Sequence, residues 1–391
     1  MRALISSVGT RGDVQPAIAL ARELKKLGHE PRLCVPPNFV NWAKDLGFEA
    51  FPIGIEMRAP ASGSGAQAPI PDLIRDQFDT IEAAAKGCDL IVACGPHQYA
   101  ARSIAEVREI PYVVAVLAPT SLPPLNLTPP GVPDQSNDLE KNGAMWQETR
   151  RSWNDRSRVR VNTNRVRLGL PEVGDVLDYI LTGRPWLAAD VALTGLTPLQ
   201  REGVFQTGAW ILPDAQPLSP ELDAFLLQGE SPIYLGFGSM PAAGDTSRKL
   251  ISAVRAAGRR IVLSRGWAEL GLIDDSSDCI SIGEVNQQLL FPRVAVVVHH
   301  GGAGTTAAAA RAGVPQMVIP QFTDQFYWAS RIRDLGAGST VRFANLEVET
   351  LVSALKNVLS PRALERAYAL SRTIDSKGAA IAAKRLVEDY G

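Results

Sequence analysis

Short apolar runs alternate with stretches of helical spacing along most of the chain. In the first half, Ala3–Ser6, Arg32–Val35, Leu90–Ala93 and Tyr112–Val116 have the apolar, β-branched pattern of strands buried on both faces. Between them, Pro16–Leu27, Phe39–Leu46, Leu73–Lys86 and Ala100–Arg108 have helical spacing. Such alternation predicts a parallel sheet with helices on both faces. A second alternation follows the proline-dense stretch 211–225. Its strands are expected at Ile233–Phe237, Arg260–Leu263, Cys279–Ile282, Val294–Val298 and Gln316–Ile319. Its helices are expected at Lys249–Ala257, Thr305–Ala312, Asp324–Leu335 and Glu347–Leu359, and Pro361–Tyr390 continues as helix with no strand after it. The fold class is α/β: two Rossmann-like parallel-sheet lobes facing a central cleft, with ligands at the C-terminal edges of both sheets.

Two stretches break the alternation. Residues 57–71 are small, polar and rich in Pro and Gly and read as a mobile loop. Residues 117–138 carry six prolines and read as a long excursion near the sheet edge. Residues 146–167 hold seven arginines. The plain account of these is a solvated helical face with a connecting loop, the sharper one a contact for an anionic acceptor or a membrane surface. At 391 residues the chain exceeds one ordinary core. We divide it into a first domain at 1–212, a linker at 213–220 and a second domain at 221–391. The last helix, about 375–391, is expected to pack back on the first domain.

Composition narrows the function by exclusion. The chain is 46% hydrophobic and 21% charged, as in soluble globular proteins. A formal net charge of −1 supplies no global field for nucleic acid or anionic membranes. No apolar run approaches the ~20 residues of a membrane span. The opening MRALISSVGT reads as a strand entering a glycine turn rather than a signal peptide, so a cytoplasmic protein is expected. Cys34, Cys88, Cys94 and Cys279 lack metal-ligand spacing and read as buried free thiols.

The chemistry concentrates at 296–306, VVVHHGGAGTT. A buried strand, a glycine turn and a helix start together build an anion site, because the backbone approaches closely and unpaired amides meet the helix dipole. His300 adds a donor that can carry positive charge. His299, one residue back on the strand, points to the opposite face and is expected to matter less. Two other strand ends converge here. One is Gly236-Phe237-Gly238-Ser239-Met240, presenting the Ser239 hydroxyl. The other is Pro320-Gln321-Phe322-Thr323-Asp324-Gln325, where Asp324 suits either a helix cap or, with Gln325, the neighbouring hydroxyls of a sugar. In the first lobe, Gly9-Thr10-Arg11-Gly12-Asp13-Val14-Gln15-Pro16 follows the first strand. Asp13 there suits a helix cap or a base that takes a proton from a bound hydroxyl.

The segment VVHHGGAGTTAAAARAGVPQMVIPQFTDQFYWASRI (297–332) resembles the donor-binding signature of the family 1 glycosyltransferases. The opening GTRGDVQP resembles the glycopeptide-antibiotic members and, more distantly, the sterol glucosyltransferases. The resemblance runs from Arg2 through the last helix and implies a GT-B fold, with acceptor on the first lobe and nucleotide sugar on the second. It implies Ser239, His300, Gly302, Gly304 and Thr305 at the donor diphosphate, Asp324 and Gln325 at the sugar, and Val285 and Gln288 at the nucleobase. Thr10 and Arg11 fall on the acceptor side. Plant members carry a catalytic histidine in GHxxP; here the matching string is GDVQP (12–16), so Asp13 takes that place as base. No DxD string is present in the second lobe, and no cofactor or metal is expected.

The resulting expectation is an inverting transferase. It moves a sugar, preferably a deoxysugar, from a dTDP or UDP donor to a hydroxyl of a lipophilic natural-product aglycone. UDP-glucose with a sterol-like acceptor is the alternative, kept alive by DQFYW at 324–328. A nucleotide-sugar epimerase fits GDVQP and TDQ poorly. A dinucleotide oxidoreductase lacks the acidic residue that grips a ribose. A silent sugar-nucleotide-binding protein would not need Asp13, His300, Asp324 and Gln325 together. No nucleic-acid partner, no stable membrane insertion and a monomer or weak dimer are expected. Exchanging 57–71 or 117–138 is expected to change acceptor range without changing donor preference.

Overall fold

The computed structural model describes residues 1–57, 72–240, 245–267 and 270–391. Residues 58–71, nearly all of the loop expected at 57–71, lie outside the described residues. The first sheet holds β1 (Arg2–Ser7), β2 (Glu30–Val35), β3 (Glu49–Pro52), β4 (Leu90–Cys94), β5 (Tyr112–Val116), β6 (Trp186–Leu187) and β7 (Phe205–Gln206). Their spatial order is β3-β2-β1-β4-β5-β6-β7, every pairing parallel. The second sheet holds β8 (Ile233–Gly236), β9 (Ile261–Ser264), β10 (Cys279–Ile282), β11 (Val296–His299), β12 (Gln316–Val318) and β13 (Gly338–Thr340). It runs β10-β9-β8-β11-β12-β13, also parallel.

Both sheets reverse their winding at one place, between β1 and β4 and between β8 and β11. At such a switch point the connections leave in opposite directions and open a crevice beyond the strand ends. Of the strands that flank it, β4, β8 and β11 are buried along their whole length. Continuous apolar sequence is what helices on both faces demand. The edge strands β10 and β13 are only half-buried.

Five helices position the site or join the lobes: α1 (Arg11–Lys26), α2 (Leu139–Arg167), α3 (Ala303–Ala312), α4 (Gln325–Asp334) and α5 (Gly378–Tyr390). Helix α1 starts five residues before the Pro16 start that spacing predicts. Thr10 is its N-cap and Asp13 its third residue, so the capping pair begins the helix and Pro16 is carried inside it. Helix α2 is one continuous 29-residue helix, without the connecting loop that the plain account of 146–167 expects. Three of its seven arginines tie it to the elements around it. Arg165 is buried and donates to Ser103 Oγ at 2.9 Å and Glu106 Oε2 at 2.8 Å, while Arg150 pairs with Asp178 and Arg167 with Asp79. Arg156, Arg158 and Arg160 are exposed.

Helix α5 lies on the first lobe. Its buried Ala379, Ala382, Ala383 and Leu386 share one apolar cluster with Ala17, Leu20, Ala21 and Leu24 of α1. Between the lobes, Tyr327 Oη donates to the Thr194 carbonyl at 2.6 Å and Arg331 Nε to that of Leu193 at 3.0 Å. Cys34, Cys88 and Cys94 are buried thiols, and Cys279 is half-buried. Among the described residues no helix is long and apolar enough to cross a membrane.

Candidate active site

The turn after β1 carries the first element of the site. Asp13 reaches back so that its Oδ2 accepts from the Thr10 backbone N–H at 2.8 Å and from the Thr10 hydroxyl at 3.3 Å. That fold-back needs Gly9, whose φ is 131°, because a Cβ there would collide with the Asp13 carboxylate. The capping role expected as the plain reading is therefore real. Burial nevertheless raises the Asp13 carboxyl to about 6, against the two Thr10 hydrogen bonds that favour its charged form, and the charge of Asp324 adds to the rise. The charge of Asp324 thus reaches Asp13 across the cleft. Cys94, at the end of the neighbouring β4, senses Asp13, so Asp13 lies at the first switch point.

Arg11 does not join it. Arg11 and Asp13 are two residues apart on a helix, about 200° around its axis, and so face opposite ways. Arg11 pairs with Glu284 of the second lobe and stacks its guanidinium 4.7 Å from the centre of the Trp42 ring. It borders a groove of about 1360 Å³ lined also by Trp267, Glu284, Val285 and residues 212–217. Neither Asp13, His300 nor Asp324 lines this groove; convergence of strand ends marks the chemistry instead.

The residues expected to hold an anion lie at the second switch point. Thr306 N donates to the Gly302 carbonyl at 3.0 Å, closing the first turn of α3. The amides of Ala303, Gly304 and Thr305 precede that bond and emerge from the helix end, toward which its dipole is positive. His300 stands between this turn and the one after β8. A Cβ at Gly302 would come 2.5 Å from His300 Nε2, so any side chain there would push the ring aside, and Gly238 also lies against the ring. Ser239 is half-buried in the turn after β8. His300 Nδ1 is buried with no partner among the described residues. An unpaired buried nitrogen costs free energy until a ligand meets it. Burial, helped by His299, pushes the His300 pKa down to about 3, so the free protein holds the ring neutral.

His299 has its own task. Its Nδ1 accepts from the Gly301 N–H at 3.0 Å, which puts the ring proton on Nε2, facing Gln316 Oε1 at 2.8 Å. Gln316 Nε2 then donates to the Thr306 carbonyl at 3.3 Å. This fully buried chain ties the glycine turn to β12 and the helix start. Strand alternation foretold its opposite facing but not this support.

Asp324 lies at the head of α4, half-buried. Its Oδ1 accepts from the Thr323 hydroxyl at 2.9 Å and its Oδ2 from Trp328 Nε1 at 2.8 Å. Burial raises its pKa despite both bonds. Gln325 turns inward. Its Oε1 accepts from the Gln321 and Phe322 amides at 2.8 and 3.3 Å, and its Nε2 meets Met240 Sδ at 3.2 Å, so it braces the loop from within. Gln288 Nε2 donates to the Leu212 carbonyl of the first lobe at 2.8 Å. Val285 remains at the groove wall. Sequence reasoning missed Thr323, Trp328 and Gln316. Only Trp328, four residues after Asp324 on a helix, left a readable signal.

Comparison with known proteins agrees with this geometry. Residues 3–122 match the Glycosyltransferase family 28 N-terminal domain, and residues 259–380 the Erythromycin biosynthesis protein CIII-like, C-terminal domain. The chain is 43% identical over 397 residues to the vancomycin aglycone glucosyltransferase of Amycolatopsis orientalis, covering 99% of this chain and 97% of the relative. It is equally 43% identical over 383 residues to the dTDP-epi-vancosaminyltransferase of the same organism, covering 94% and 92%. The solved glycosyltransferase of kitacinnamycin superposes with a TM-score of 0.75 at 20% identity, covering 100% of this chain and 99% of that one, a likeness of fold. With two facing parallel-sheet lobes and relatives of this closeness over their whole length, the chain belongs to the GT-B glycosyltransferases of the antibiotic-biosynthesis type.

Proposed function

We propose that this glycosyltransferase inverts. An acceptor hydroxyl gives its proton to Asp13, its oxygen attacks the anomeric carbon, and the bond from that carbon to the diphosphate oxygen breaks on the opposite face. An α-linked donor then yields a β-glycoside (an α-glycoside for an L-sugar), and the nucleoside diphosphate leaves. The observation that carries this reading is the facing of two switch points. A desolvated carboxyl near 6 stands on one, and an unpaired buried histidine nitrogen with free helix amides on the other. A base near the working pH combines availability with strength. Amides, dipole and His300 meet the leaving charge, so the reaction needs no divalent metal. Arrival of the diphosphate raises His300's proton affinity, since a nearby anion favours the charged ring.

Asp324 accepts from hydroxyls of the transferred sugar, and Val285 borders the nucleobase. The donor is a deoxysugar on dTDP, by analogy with the dTDP-epi-vancosaminyltransferase, and the acceptor a lipophilic natural-product aglycone. A glucosyl donor is the second reading, favoured by the equally similar glucosyltransferase. Side-by-side kinetics test the choice, with dTDP-deoxysugars, dTDP-glucose and UDP-glucose as donors and vancomycin aglycone as first acceptor. A far higher kcat/KM with UDP-glucose overturns the deoxysugar reading.

A further inference from the structure

The proline-rich excursion after β5 does not stay on its own lobe. Gly131 donates its N–H to the carbonyl of Thr323 at 2.9 Å, and Asp134 pairs with Arg342, both across the cleft. Thr323 itself is unusual. Its φ is 56°, in the left-handed region that β-branched residues rarely adopt. A conformation of that kind persists where its surroundings over-determine it, and here both ends of the residue are held. Its carbonyl takes the contact from the first lobe, and its hydroxyl donates to Asp324 Oδ1 at 2.9 Å. With Trp328 on Oδ2, the carboxylate is fixed at both oxygens while lone pairs remain for further donors.

We propose that Thr323 is a positioning residue that couples the 117–138 excursion to Asp324, so that seating of the acceptor-side loop sets the carboxylate for the donor sugar. The proposal rests on the reading of Asp324 as the sugar contact. The excursion then belongs to both substrates, and its exchange alters donor affinity along with acceptor range. That replaces the expectation of an acceptor-only loop drawn from sequence.

The test isolates the sugar's contribution to binding. Calorimetry gives the ratio of the Kd of dTDP to that of dTDP-glucose, and of UDP to UDP-glucose, with no acceptor present. Thr323→Gly accepts the left-handed backbone and removes the hydroxyl. It is expected to lower the ratio about fivefold, the lower end of ordinary coupling between sites. Thr323→Ser is expected to restore it. Asp134→Ala, in the other lobe, is expected to lower it in the same direction by a smaller factor, leaving the Kd of the bare nucleotide unchanged. An unchanged ratio in Thr323→Gly or in Asp134→Ala, or a serine variant that fails to restore it, overturns the coupling. An unchanged ratio in Asp324→Ala instead overturns the reading of Asp324 on which the coupling rests.

Discussion

Replacing Asp13 with Asn should remove catalysis and stabilise the protein at once, and the two effects have the same origin. The carboxyl is raised from 3.8 to about 6, chiefly by burial. Such a rise corresponds to roughly 3 kcal/mol of penalty for holding the charge in the folded state. The sign comes from linkage. A folded value above the unfolded one means the native protein keeps its proton longer. The associated stability is therefore fully present below about 4 and is lost as pH rises through 6. Asn removes that loss while its amide oxygen can still accept the Thr10 N–H. In urea unfolding, Asp13→Asn should match wild type near pH 4 and exceed it by up to roughly 3 kcal/mol above pH 6. Transfer by wild type should rise with pH toward a plateau above 6, and the variant should lose ~10²–10⁴-fold of it. A stability difference that does not change between pH 4 and 8 refutes the desolvation argument. Undiminished transfer when chemistry limits the rate leaves Asp13 as a helix cap only.

Three other outcomes separate the roles of the remaining residues. His300→Ala should weaken binding of dTDP or UDP and lower kcat, because a diphosphate contact strengthens as the leaving group gains charge. His299→Ala should act first on stability, by about 1–3 kcal/mol in urea unfolding, since it strands the Gly301 N–H and the Gln316 amide. A reversed ranking of the pair in nucleotide affinity would show that the diphosphate reading has the wrong histidine. Transfer should persist in EDTA; loss restored by magnesium would refute the metal-free mechanism. Leu386→Ala, buried against α1, should cost about 2–5 kcal/mol by denaturant titration, whereas a value near zero would mean that α5 contributes little to the first lobe.

What could be read from the sequence was what local pattern controls. Buried strands such as β4 and β11 are unbroken apolar runs, and the His299–Thr306 turn combines strand, glycines and helix start within a few residues. The strands β6 and β7 have two residues each, and β3 (EAFP) and β13 (GST) lack an unbroken apolar run. Helix α2 escaped in its first turns because its composition is polar nearly all round, and its core contacts, such as Arg165, are polar ones. Facing was the harder quantity. Asp13, His300 and Asp324 arrive at the two switch points, yet nothing local distinguishes the cleft-facing Asp324 from the inward Gln325 beside it. Arg11, Gln288 and Thr323 take their roles from partners in the other lobe, hundreds of residues away in some cases, where no spacing rule reaches.

The return of α5 to the first lobe has a consequence for how the chain is made. The first sheet is complete once β7 has left the ribosome, but the apolar face of α1 still lacks its cover. That cover is encoded roughly 170 residues later, between Gln206 and Gly378. At about 5–20 residues per second, the nascent first lobe waits on the order of 10–30 s with Ala17, Ala21 and Leu24 unsheltered. During that interval it is a natural client for chaperones, and its final closure is timed by synthesis of the second lobe.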